Sequence, residues 1–166
     1  MRPTLVILRC FVAAAWCADA GAAVHVGELD VRAGSGGMPC FTVFQKDERR
    51  FGAPEFRSIS VIDVTAGGKS LMWTMSIPPE RPFQVTFRLC IPYAGRLPVL
   101  PKTTALPLQP GKLYEALIDI KPPMSASAPR AYRARFCLVG KAGGAVQLRT
   151  LNSATPDGKG RTGCAG

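Results

Sequence analysis

Short stretches of alternating apolar and polar residues recur along the chain, and they constrain its fold more than any other feature. In these stretches apolar residues return at every second position, which is the period of a β-strand with one buried and one wet face. The clearest stretches are residues 71–77, 83–91, 114–121, 132–138 and 146–149. No long window shows the 3.6-residue repeat of an amphipathic helix. The pattern predicts an all-β protein.

Turn-forming residues separate these stretches. Residues 66–69 (Ala-Gly-Gly-Lys) predict a hairpin between the strands on either side, and residues 109–112 (Gln-Pro-Gly-Lys) predict a turn before the next strand. Residues 24–32 change their alternation at Gly27, which predicts a bulge. Many short strands with frequent turns predict an antiparallel β-sandwich with an immunoglobulin-like layout, and a barrel is the alternative.

Residues 1–22 have the three-part layout of a secretory signal peptide. A basic start leads into an apolar stretch, and small residues around Ala20 and Ala22 supply cleavage sites. The apolar stretch is too short to span a bilayer. We therefore expect cleavage to leave residues 23–166 as one β-sandwich domain. A composition rich in Ala, Arg, Gly and Pro is typical of a high-GC bacterial genome, so we expect the periplasm as the destination.

Cys17 raises the alternative of a lipid-anchored N-terminus. The bulky Trp16 stands directly before it, where a lipoprotein signal has a small residue. We therefore expect a soluble, cleaved protein rather than one anchored to the membrane through Cys17.

An even number of cysteines remains after removal of the signal, which indicates disulfide bonds in a short exported chain. They are Cys40, Cys90, Cys137 and Cys164. Four cysteines allow three pairings. We favour Cys40–Cys90 with Cys137–Cys164, because the second bridge would tie down the polar tail at 152–166. Cys90 and Cys137 share the alternation of polar neighbours, so we expect peripheral bridges rather than the core disulfide of an immunoglobulin domain.

Residue patterns for catalysis or metal binding are sparse. The single histidine, His25, lies near the expected mature N-terminus, and a Ser-His-Asp or Cys-His arrangement would have to use it. The spacings of zinc proteases, nucleophile elbows and phosphate-binding loops are missing from the sequence. Met38, Met72 and Met75 have no second histidine to favour copper, and we interpret them as core or surface residues. We expect no catalytic, cofactor or metal site, and no enzyme.

Positive charge is the feature that points to binding. The chain has 21 Lys and Arg against 11 Asp and Glu, a net charge of +10. Such a charge favours anionic partners, and export argues against nucleic acid. Four arginines project from the polar sides of predicted strands, and they would form a partner-binding patch if those strands are neighbours. They are Arg88, Arg133, Arg135 and Arg149.

Four segments, in this order, resemble a known family. They are Cys40-Phe41, Leu89-Cys90-Ile91-Pro92-Tyr93-Ala94-Gly95, Leu108-Gln109-Pro110-Gly111-Lys112-Leu113-Tyr114 and Tyr132-Arg133-Ala134-Arg135-Phe136. The order is similar to that of small periplasmic lipoproteins of the type VI secretion immunity class, over about residues 40–138. The resemblance implies a β-sandwich that binds and neutralises a toxin delivered into the periplasm. It also supports the pairing of Cys40 with Cys90.

Three functions stay open at this point. The leading one is an exported periplasmic binding protein of the immunity kind, whose partner is a toxin or effector protein with an acidic surface. The alternative is an envelope protein, structural or ligand-binding, that attaches to an anionic cell-wall or outer-membrane polymer. The third is an enzyme that uses carboxylates on glycans, which a deep acidic cleft would favour.

Overall fold

The computed structural model describes residues 25–95, 101–141 and 143–151 together with Cys164. The predicted signal peptide and most of the predicted tail lie outside these residues. Within them, the strands are β1 (Val26–Ala33), β2 (Pro39–Val43), β3 (Phe56–Asp63), β4 (Ser70–Ser76), β5 (Ile91–Pro92), β6 (Leu113–Ile120), β7 (Ala131–Gly140) and β8 (Val146–Leu151). One short helix, α1 (Gln45–Phe51), follows β2. None of the described helices is long and apolar enough to cross a membrane.

The strands form one mixed sheet in the order β4-β3-β6-β7-β1-β2-β5, and β8 pairs with β7 beside this path. The neighbours run antiparallel except for β1 and β7, which run parallel. The sheet curls into a half-barrel. The all-β prediction and the hairpin predicted at residues 66–69, between β3 and β4, are therefore confirmed. The two-sheet sandwich layout is not confirmed.

β1 changes its partner along its length. Residues 26–28 pair with the start of β7, and residues 29–33 pair with β2, while β8 takes over the freed edge of β7. Gly27 lies where β1 crosses Tyr132, and a Cβ atom at Gly27 would lie 2.7 Å from the tyrosine ring. No register shift interrupts the described part of β1. The bulge predicted at Gly27 is therefore wrong, because this glycine makes room for an aromatic ring.

The concave side of the sheet holds the hydrophobic core. The sheet has two arms, β4-β3-β6 and β1-β2-β5, on either side of β7. Both arms and β7 supply the largest fully buried side chains of the core, which include Leu29, Phe41, Val43, Ile59, Val61, Trp73, Met75, Tyr114, Ile118, Tyr132 and Phe136. Phe136 joins the two arms, since its ring centroid lies 5.7 Å from that of Phe41 and 5.6 Å from that of Tyr114. The inward positions of β6 and of β7 up to Phe136 are those that the sequence alternation predicts.

Residues 83–90 do not form the strand that their alternation predicts. They pair with the sheet only through an isolated bridge between Gln84 and Glu55. The segment then crosses the convex side of β2, where the Thr42 hydroxyl donates a hydrogen bond to the Thr86 carbonyl over 2.7 Å. β2 is consequently buried on both sides, with its convex side covered by the segment.

Charged side chains fix this covering segment in place. Arg32 on β1 forms an ion pair with Asp30 (2.7 Å), donates a hydrogen bond to the Phe87 carbonyl (3.0 Å) and places its guanidinium 4.2 Å from the Phe87 ring centroid. Glu48 of α1 accepts a hydrogen bond from the Phe87 amide over 2.7 Å. Hydrogen bonds to charged groups are stronger than neutral ones. The segment is therefore held by β1 on one side and by α1 on the other.

Two disulfide bonds hold chain segments against the convex side of the sheet. They join Cys40 to Cys90 and Cys137 to Cys164, with Cα atoms 5.5 and 5.6 Å apart, so the favoured pairing is confirmed. Neither bridge belongs to the core cluster. Cys137 lies on the convex side, opposite exposed Arg149 in the register, but it has no exposed surface of its own. Two disulfides are typical of an oxidising, exported compartment.

Tyr93 closes the open side of the half-barrel. Its hydroxyl donates a hydrogen bond to the Leu106 carbonyl (2.7 Å) and lies 3.3 Å from the Met72 carbonyl on β4, and its ring packs against Trp73 with centroids 5.4 Å apart. Tyr93 directly follows β5, so a side chain joins the two ends of the described sheet. Burial raises the pKa of Tyr93 to about 12.

We expect the Tyr93→Phe variant to be less stable than the wild type by about 1–3 kcal/mol, because the Leu106 carbonyl loses its hydrogen-bond donor. An unfolded tyrosine ionises near pH 10, whereas folded Tyr93 ionises near pH 12. The neutral hydroxyl therefore contributes stability below pH 10, and this contribution is lost as the pH rises from about 10 to 12. Urea unfolding at pH 8 and pH 11 measures both effects. Equal stability of variant and wild type at pH 8 would contradict a closing role for the hydroxyl.

Candidate arginine face

The convex side of β6, β7 and β8 carries most of the predicted binding arginines. On β7, exposed Arg133 and Arg135 alternate with the buried residues of the core. Arg149 on β8 stands opposite Cys137 in the register and is exposed. Because paired residues of antiparallel strands point to the same side of a sheet, the three arginines share one surface. We define the arginine face by these residues with Glu115 and Leu117 of β6.

Arg135 is held by a neighbouring carboxylate. It stands opposite Glu115 in the β6–β7 register, and its Nε lies 2.9 Å from Glu115 Oε2. The side chain of Glu115 is 15% exposed and that of Arg135 is 56% exposed. An exposed pair of this kind contributes little to stability, at most about 1 kcal/mol. Its main effect is to fix where the guanidinium lies.

Arg133 occupies the end of the arginine face that is next to β1. Its register neighbours are Leu117 on β6 and Glu28 on β1, and Leu117 is partly exposed. Among the residues that the structure describes, no ion pair or hydrogen bond engages its guanidinium. Arg133 is therefore exposed on a strand that is paired on both sides, and the described residues leave its hydrogen-bond donors unengaged.

Arg149 connects the arginine face to the second disulfide. Its register partner, Cys137, is bridged to Cys164, so the bridge lies within the same surface. Arg149 has interactions of its own in the folded protein. We therefore regard it as a constrained member of the face, with Arg133 as the accessible one.

Arg88 does not join the other three arginines. It lies exposed in a turn of the covering segment, where the Leu89 amide donates a hydrogen bond to the Thr86 carbonyl over 3.0 Å. That segment is bound to β2, and β1 separates β2 from β7 in the sheet. The predicted four-arginine patch is thus a patch of three, because the strand that would have carried Arg88 does not form.

Carboxylates that we did not single out in the sequence also belong to this surface. Glu28 and Glu115 flank the β7 arginines, and Asp119 near the end of β6 accepts a hydrogen bond from the Ser58 hydroxyl over 3.1 Å. The surface therefore has charges of both signs rather than a uniform positive potential. The alternation in the sequence predicts Glu115 and Asp119 on the wet side of β6, with Leu117 as the apolar exception among them.

The residues considered for catalysis or metal binding lie apart from the arginine face. His25 has its Nδ1 3.0 Å from the Ser127 carbonyl oxygen, in the loop that precedes β7. Met72 and Met75 are buried in the core, whereas Met38 is 37% exposed. Within the described part of the chain, no group of three or more His, Cys, Asp or Glu residues is arranged to hold a metal ion.

Comparisons of the chain with protein-family models, with curated proteins and with solved structures find no match.

Proposed function

We propose that the protein is an exported, disulfide-bonded binding protein whose partner docks on the arginine face. The position of Arg133 is the observation that carries this proposal: it is exposed on a central strand, beside partly exposed Leu117. Arginine is enriched among the residues that dominate protein interfaces, and it binds carboxylates through paired hydrogen bonds. A side chain carried by a paired strand is also well ordered before binding, which reduces the entropic cost of association.

The mixed charges of the face favour a protein partner over a polymer. A uniformly anionic polymer is attracted by net positive charge, but Glu28 and Glu115 would repel it at this surface. A folded partner can place a carboxylate against Arg133 and cationic or apolar groups elsewhere. This complementarity, together with the resemblance to type VI secretion immunity proteins, supports a toxin or effector with an acidic surface as the partner in the periplasm.

We also propose that the domain, residues 23–166, has the immunoglobulin-like sandwich layout that the sequence predicts. Two features support it. β1 belongs to two ladders, parallel with β7 and antiparallel with β2, which would let it pass from one sheet to the other. The Tyr114 hydroxyl accepts a hydrogen bond from the Gln109 amide, five residues upstream, over 2.7 Å. This contact has the form of the tyrosine corner of such sandwiches.

Charge reversal at Arg133 tests the binding proposal. The oxidised exported protein is titrated with the secreted proteins encoded next to its own gene, and the dissociation constant is measured by calorimetry. We expect Arg133→Glu to weaken binding by about thirtyfold or more, the loss of a dominant interface residue. Arg133→Lys should fall between this variant and the wild type, because lysine keeps the charge but loses the paired geometry.

Arg49→Glu is the matched control, because Arg49 is an exposed arginine on α1 and the change in net charge is the same. It should leave the dissociation constant nearly unchanged. Equal weakening by Arg133→Glu and Arg49→Glu would contradict a specific site and favour the alternative, attachment to an anionic envelope polymer. Salt-sensitive sedimentation of the protein with isolated envelopes would then be the direct measurement of that alternative.

A further inference from the structure

A second site lies where the two ends of the half-barrel approach each other. Here a cavity of about 190 Å³ opens between β4 and β5, and we call it the seam pocket. The described residues that line it are Met75, Phe83, Leu89, Cys90, Ile91, Pro92 and Gly95. Near the pocket, the side chain of Tyr93 joins the end of β5 to Met72 of β4 and to Leu106.

The walls of the seam pocket define the chemistry of what it can hold. Its described side chains are aliphatic, aromatic or sulfur-containing, and none of them ends in a nitrogen or oxygen atom. Such a lining favours an apolar occupant over water, since a buried water needs polar partners. An apolar cavity of about 150 Å³ is large enough to bind benzene. The seam pocket is larger, so it has room for a short aliphatic chain.

A positive charge lies next to a lining residue of the seam pocket in the sequence. Leu89 lines the pocket and is 37% exposed, and Arg88 directly precedes it in the turn and is also exposed. The disulfide bond between Cys90 and Cys40 anchors the end of this turn to β2, and Cys90 itself lines the pocket. An arginine beside an apolar opening suits a ligand with an apolar body and an anionic end, because its guanidinium can bind a carboxylate through paired hydrogen bonds.

We propose that the seam pocket binds a single-chain amphiphile, its aliphatic chain inside the pocket and its carboxylate against Arg88. Arg88, the predicted binding arginine that lies outside the arginine face, thereby receives a role. It is independent of the proposed protein partner, since none of the described residues that line the seam pocket belongs to the arginine face.

Titration with octanoate tests the proposal in the oxidised exported protein labelled with ¹³C at the methionine methyl groups. Met75 lines the pocket, whereas Met124 is fully exposed and does not line it. We expect a saturable shift of the Met75 methyl signal with no change at Met124. A Met75 signal that stays unchanged, or a Met124 signal that moves in parallel with it, would overturn the proposal.

Two variants test separately how the aliphatic chain and the carboxylate of octanoate contribute to binding. Leu89→Trp should abolish the Met75 shift by filling the opening, and Leu71→Trp is its control, because Leu71 is 49% exposed and does not line the pocket. Arg88→Gln should weaken octanoate binding about tenfold, the loss of one charge-assisted interaction, and leave 1-octanol binding unchanged. An equal effect of Arg88→Gln on both probes, or no effect on octanoate, would overturn the head-group assignment.

Discussion

Replacement of both Cys40 and Cys90 by alanine is expected to lower the free energy of unfolding by about 4 kcal/mol. The bridge spans 50 residues of sequence, and a cross-link of that span restricts the unfolded chain by roughly this amount. It also anchors the covering segment at residues 83–90 over β2. Small domains have a total stability of about 5–15 kcal/mol, so the loss takes a large part of it. Urea unfolding of the double variant measures the change.

The Cys137–Cys164 bridge provides the comparison. It spans 27 residues, for which the same relation gives about 3.5 kcal/mol. The two double-alanine variants should differ more clearly in which residues lose protection against amide hydrogen exchange. Loss of Cys40–Cys90 should accelerate amide hydrogen exchange at residues 83–90 and in β2, whereas loss of Cys137–Cys164 should leave both protected. Unchanged exchange at residues 83–90 in the first variant would contradict the anchoring role of that bridge.

Alternation in the sequence locates strands well where both sides of the strand have distinct environments. β6 and β7 are examples, because their inward residues meet the core and their outward residues meet solvent or the polar side of a neighbour. The hairpin of β3 and β4 is predictable for a second reason, since Gly67 and Gly68 fall between two such patterns. In these elements the local pattern and the final environment agree.

The covering segment shows where this reasoning fails. Phe83 and Val85 do point into the apolar interior, as their alternation requires, and Val85 is fully buried. Alternation says nothing about which strand supplies backbone hydrogen bonds. Phe83 accepts one from the Phe56 amide and Val85 donates one to Pro54, after which the segment leaves the sheet. Its position over β2 depends on Arg32 and Glu48, two contacts distant in sequence that no local pattern reveals.

The same limit applies to the binding patch. Arg133 and Arg135 lie on one strand, so their common face follows from spacing alone. Arg149 joins them only through the β7–β8 register, which the alternation alone does not predict. Arg88 was expected beside them because the alternation predicts a strand at residues 83–91, and residues 83–90 do not form it. The carboxylate of Glu115 was missed because the arginines were considered without their cross-strand neighbours.

Truncation of Phe136 to alanine is the second change expected to have a large effect, a loss of about 3–5 kcal/mol in the free energy of unfolding. The side chain has no exposed surface and contacts both arms of the half-barrel through Phe41 and Tyr114. Its removal leaves a cavity where the Phe41 and Tyr114 rings meet through Phe136. Because the interior is close-packed, neighbouring side chains can fill this space only in part.

Two further variants test whether Phe136 stabilises the protein because it joins the two arms or only because it fills apolar volume. Phe136→Leu keeps most of the volume and should cost less than half as much as Phe136→Ala. Phe51→Ala removes the same ring from α1, where it is only half-buried, and should cost about 1 kcal/mol. Near-equal losses for Phe136→Ala and Phe51→Ala would contradict the view that Phe136 holds the curl of the sheet together.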